Sequence, residues 1–132
     1  MAIEAQLKQL SPGARAAALN GKWANRLGSV MELTVDPSGH GLQGTYRSGV
    51  GSPHPDRVYT VTGFAVGDAF VFAVDFNPHG SVGGWTGHHV SDDDGERLVT
   101  LWHLARPVKA AADDADVWGS VLAGADEFHR AG

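Results

Sequence analysis

The chain has no cysteine among its 132 residues. Neither a disulfide framework nor a thiolate metal centre is open to it, and cysteine usage says nothing of the redox compartment. Stability has to come from packing, and a chain of this length buries about two thirds of its unfolded surface in a single core. Positive charge is scarce as well: 10 Lys and Arg face 15 Asp and Glu, for a formal net charge of -5. No basic cluster supplies the concentrated charge on which phosphate recognition rests, so nucleic acid is not an expected partner. Long apolar runs are missing too. None approaches the roughly 18 residues of a membrane span, and no membrane contact is expected. Glu4 and Lys8 interrupt the stretch where a secretory leader would be apolar. The expectation is a chain either retained in the cell or already relieved of its leader.

Glycine is abundant, at 18 residues or about twice ordinary usage. Between the glycines the chain is rich in β-branched and aromatic residues, which favour many short strands and tight turns. Residues 1–20 read as an extension, either one or two short helices or a frayed tail. Ile3, Leu7 and Leu10 have helical spacing, but a short amphipathic helix is marginal alone. From Gly21 to residue 132 the period is two. Strands are expected over 22–35 around Gly28, then 42–48, 57–64, 69–76, 81–90, 96–105 and 122–129. Turn residues stand between them: Asp36-Pro37-Ser38-Gly39, Val66-Gly67-Asp68, Asn77-Pro78-His79-Gly80 and Asp92-Asp93-Asp94-Gly95. Eight strands in neighbouring order make an all-β antiparallel meander, which closes readily into an up-and-down barrel and so removes its exposed edges.

Parity then places polar side chains inside. Trp23, Asn25, Leu27, Ser29, Met31 and Leu33 share one face, Tyr46 and Ser48 sit inward on the third strand, and Asp126 shares a face with Phe128. A buried polar group without a partner costs about 1–3 kcal/mol. These five are therefore satisfied inside the barrel or held for a ligand. Small and aromatic residues alternate on other inward faces: Phe72, Val74 and Phe76; Ser81, Gly83, Trp85 and Gly87; Thr100, Trp102 and Leu104. Such a lining walls a flat apolar ligand. A small barrel enzyme and a lipocalin-type carrier are the rival readings. The first lacks an acid, base and nucleophile in one constellation, and the second does not need Asn25, Ser29 and Asp126.

Metal chemistry is not expected, and no cofactor is implied. His88 and His89 are adjacent on a strand and point to opposite faces, while Asp92 to Gly95 lacks calcium-loop spacing.

Several segments resemble the avidin family in order. They are Gly21-Lys22-Trp23-Ala24-Asn25-Arg26-Leu27-Gly28-Ser29, Gly41-Leu42-Gln43-Gly44-Thr45-Tyr46, Gly84-Trp85-Thr86-Gly87, Thr100-Leu101-Trp102-His103-Leu104 and Trp118 to Phe128. The resemblance implies a non-catalytic barrel whose mouth binds biotin and so sequesters it; family members are usually secreted or periplasmic. It implies that Asn25, Ser29 and Tyr46 donate to the ureido oxygen, and that Asp126 and Ser48 accept from the two ureido N–H groups. Phe76, Trp85 and Trp102 would surround the rings, with Leu27, Val50 and Leu104 completing the apolar wall. Ser52 and Ser81 would meet the valeryl carboxylate. Two departures stand out: Phe76 replaces a usual tryptophan, and Gly83 replaces a common threonine that meets the ligand sulfur. Trp118 matches a tryptophan that reaches into a neighbouring subunit's pocket in tetrameric relatives. A homotetramer is therefore expected ahead of a dimer, with His103 outward on the subunit-packing surface.

Overall fold

The computed structural model describes residues 16–49, 57–78, 80–108 and 114–131. Its strands are β1 (Gly21–Asn25), β2 (Val30–Val35), β3 (Gly41–Arg47), β4 (Tyr59–Val66), β5 (Ala69–Asp75), β6 (Val82–Asp92), β7 (Gly95–Ala105) and β8 (Val121–Arg130). Each pairs antiparallel with its sequence neighbour, and β1 pairs with β8 to close the barrel. The expected meander is the observed one, and every strand lies within a few residues of its sequence-based range.

Period-two patterning does the work of register. In β4 the burial alternates strictly, with Tyr59, Val61, Gly63 and Ala65 inside and Thr60, Thr62, Phe64 and Val66 outside. Slipping one residue would exchange these sets, so register and core are one specification. Trp23, Phe72, Phe128, Met31, Leu33, Leu42, Leu98, Val61 and Val74 are almost fully buried. Each such large apolar side chain contributes about 1.5–3 kcal/mol on burial.

In a meander, successive connections lie at alternate ends. The turns after β2, β4 and β6 share one end of the barrel with the start of β1, and that end is plugged. Packing continues past the boundary read at Gly21: residues Ala16–Leu19 form a 3-10 helix, and both Ala16 and Leu19 are fully buried. The plug is tied to both edges of the closing seam. Trp23 donates its indole N–H to the Leu19 carbonyl at 2.9 Å. From β8, Arg130 donates to the carbonyls of Asn20 and Ala18, each at 2.6 Å, and lies 4.0 Å above the Trp23 ring. Glu96 accepts from Arg130 at 3.1 and 3.2 Å and bonds His89 Nε2 at 2.8 Å. Arg130 first, and His89 second, hold the Glu96 carboxyl down at about 2.

The connections after β1, β3, β5 and β7 gather at the other end. The last of them carries one short helix, α1 (Asp114–Gly119), which strand parity did not reveal. Among the described residues no helix is long and apolar enough to cross a membrane.

Candidate functional site

The open end begins where β1 stops. Asn25 is its last residue, and Arg26, Leu27 and Gly28 form a tight turn with Gly28 at φ +88°, a conformation that favours glycine. The turn is bound to Asn25 through both its backbone and its side-chain carbonyl. The Gly28 amide donates to the Asn25 carbonyl, and the Asn25 Oδ1 accepts from the amides of Leu27 at 3.1 Å and Ser29 at 2.9 Å. Two backbone donors on Oδ1 leave one orientation for the amide, since its NH2 cannot accept. Nδ2 therefore faces Asp126, and donates to Oδ2 at 2.8 Å.

Asp126 comes from β8, opposite Thr100 of β7. The Thr100 hydroxyl donates to the Asp126 carbonyl at 2.9 Å, and Asp126 Oδ1 accepts the Glu127 amide at 2.9 Å. Ser29, nearly buried at the start of the next strand, accepts the Gly49 amide on its hydroxyl at 3.1 Å and hydrogen-bonds the Tyr46 hydroxyl. Burial pushes the Tyr46 phenol up from its ordinary value, and the Asp126 charge adds to this against the Ser29 hydrogen bond. Tyr46 thus keeps its proton and remains a donor. Ser48 follows it, half-buried.

Aromatic rings wall this cluster. Tyr46 lies 5.4 Å from Trp85 and edge-on to Phe76 at 5.7 Å. Phe76 also meets Tyr59 edge-on at 4.9 Å, and Trp85 stacks on Phe72 at 5.3 Å and 11°. Trp102 and Leu104 are half-buried on the inward side of β7, with Ser81 half-buried before β6. Edge-on and offset arrangements of this kind are the favoured ones for aromatic pairs.

The structure thus brings Asn25, Ser29, Tyr46 and Asp126 into one polar cluster beside Phe76 and Trp85. It places Leu27 differently from strand parity: β1 ends two residues earlier, and Leu27 stands in the turn, 59% exposed. Val50 and Ser52 lie outside the described residues. Trp118, on α1, is 76% exposed within its own chain. Sequence reasoning left out Tyr59, and set Phe72 and Thr100 on inward faces without giving them a role in the site. All three were legible as inward by parity with Val61, Val74 and Trp102, but their ring contacts and the bond to Asp126 depend on strands that meet only in the fold. His88 and His89 do diverge: His88 faces out, 3.9 Å from Asp68, and His89 turns in to Glu96. Among the described residues no three His, Asp or Glu side chains come together as a metal site.

The described residues plug one end of the barrel and set oriented polar groups in an aromatic wall toward the other, an arrangement suited to holding one small ligand. The chain belongs to the avidin family, whose model matches residues 13–131. It is 32% identical over 126 residues to avidin-related protein 4/5 of Gallus gallus, covering 91% of this chain and 82% of that protein. Among solved structures it is similar to xenavidin, with TM-score 0.73, 28% identity, and 86% and 97% of the two chains covered. It is also similar to rhizavidin, solved as a biotin complex, with TM-score 0.66, 27% identity, and 82% and 96% covered.

Proposed function

We propose that this chain binds biotin at the open end of its barrel and performs no chemistry on it. The observation that carries the reading is the Asn25–Asp126 pair, in which an amide locked by two backbone donors faces a carboxylate beside two hydroxyls and an aromatic wall. A ureido group presents one acceptor oxygen between two N–H donors. Asn25, through its second amide hydrogen, with Ser29 and Tyr46 would supply donors for the oxygen, and Asp126 and Ser48 acceptors for the N–H groups. The raised Tyr46 phenol supports this, because only its protonated form donates. Phe76, Trp85, Trp102 and Leu104 would hold the rings, joined by Val50 and by Leu27 in its turn, and Ser52 and Ser81 would meet the carboxylate tail. The similarity to a structure solved with biotin points the same way.

Binding alone suits the surroundings. The imidazoles of His40, His88 and His89 are engaged at the plugged end or the outer face with Ala65, Asp68 and Glu96, and His103 and His129 are exposed. None of these stands as a base over Ser29 or Tyr46. Groups already oriented and largely desolvated lose little freedom on binding, which favours affinity. Capture of this kind would sequester the vitamin.

A homotetramer, with a dimer as the smaller alternative, is the assembly proposed. Val71, Val82, Leu101 and Val121 are exposed on the outer face of β5 to β8, which also carries a concavity of about 1030 Å³ floored by Thr86, Val99 and Ala125. Trp118 would reach from one subunit to the mouth of another. Calorimetric titration with biotin tests the reading: saturable one-to-one binding per chain is expected, and no heat at micromolar concentrations would overturn it.

A further inference from the structure

Two tryptophans of the open end rest on glycines. A Cβ at Gly83 would lie 2.8 Å from Cζ3 and 3.1 Å from Cη2 of Trp85, and 3.2 Å from Cε2 of Phe76. A Cβ at Gly124 would lie 2.5 Å from Cζ2 and 2.6 Å from Cε2 of Trp102. Neither glycine has a positive φ, so the backbone does not require them. What requires them is the close approach of the indoles, which fill the volume any other residue's side chain would take.

Trp85 has little room to yield. Its ring is stacked on Phe72 and tilted against Tyr46, with its edge over Gly83. Its Nε1 is buried and has no hydrogen-bond partner among the described residues. Among the described residues no polar contact anchors the indole, so its stance is set by packing. The same ring walls the polar cluster, and a shift of its edge is a shift of the wall.

We propose that Gly83 and Gly124 are positioning residues, which set how far Trp85 and Trp102 reach into the mouth, so that this side of the pocket selects its ligand by the thickness of an apolar ring system. The identity of that ring system rests on the biotin reading. The stance of the indoles does not.

The test compares G83A, W85F and the double variant G83A/W85F. The smaller phenyl ring removes the clash, so the methyl should matter only where the indole is present. Biotin affinity should fall about tenfold or more in G83A relative to wild type, and less than about threefold when the same change is added to W85F. Equal losses in both backgrounds would overturn the proposal. Near-ultraviolet circular dichroism of the ligand-free proteins gives a second readout: G83A should alter the tryptophan bands, and unchanged bands would also overturn it. A wild type that fails to bind biotin defeats the functional reading, while the ligand-free spectra still decide the stance. Should G83A not fold, a folded G83A/W85F supports the proposal and misfolding of both overturns it. G124A against W102F repeats the comparison at the second tryptophan.

Discussion

The two ends of this barrel use the same kinds of residue to different purpose. At the plugged end every polar group named has a partner fixed within the chain: Trp23 meets Leu19, Arg130 meets Ala18, Asn20 and Glu96, and Glu96 meets His89. At the open end Asn25 and Asp126 hold one another, Ser29 and Tyr46 hold one another, and Trp85 keeps an indole N–H without a described partner. Fully satisfied networks rigidify, whereas groups held in reserve retain capacity for a ligand. Stability is concentrated at one end and, on the proposed reading, binding at the other.

Four measurements would break or sharpen that division. The largest expected effect is at the plug: W23A removes a fully buried indole with its hydrogen bond and its stacked guanidinium, and should cost about 3–5 kcal/mol in denaturant unfolding. A cost under about 1 kcal/mol would mean that the plug is not the anchor. Next is D126A, which should weaken biotin binding by about 2–4 kcal/mol through loss of a charge-assisted bond, with fold stability nearly unchanged. Unfolding instead of weaker binding would erase the contrast between the ends. W118K should follow, with affinity reduced by about tenfold and a looser assembly by light scattering. Its exposure within the chain implies that protomer folding is unaffected. A monomeric wild type with full affinity would remove the shared site.

The smallest effect concerns acid. Glu96 has its folded pKa lowered from 4.5 to about 2, so its ion pair contributes fully above the ordinary carboxylate range. That contribution is lost as pH falls from 4.5 toward 2, because the unfolded chain takes up the proton first. Melting temperatures across that window should fall less steeply for E96Q than for wild type. Parallel curves would show that the Arg130 clamp does not depend on this carboxylate.

Much of the open end was legible because alternation is a local property. Asn25, Ser29, Tyr46, Asp126, Trp85 and Trp102 could each be assigned inward from neighbours two residues away. Leu27 could not be placed by the same rule, since a turn of three residues interrupts the strand there and carries its side chain out of the alternation. The plug was less legible. Leu19 stands four residues before Trp23, and nothing in that spacing shows that Arg130, at the far end of the chain, will clamp its helix. Helix α1 was hidden for a related reason: its buried face is absent, with none of its residues buried, so no periodic apolar signal marks it.

Closure through β1 and β8 has a consequence for how the chain matures. All other pairings join strands that are adjacent in sequence, so each can form as a local hairpin while the chain lengthens. The seam between Trp23–Asn25 and Phe128–Arg130, extended by the Ala131 amide on the Lys22 carbonyl, cannot form until the last strand has emerged. Until then β1 and β7 are both bare edges, able to recruit the strands of another unfinished chain. β8 brings Asp126, Gly124 and Arg130 together with the missing hydrogen bonds. A nascent chain therefore acquires the last polar group of its proposed site, its clamp and its protection from aggregation in the same final step.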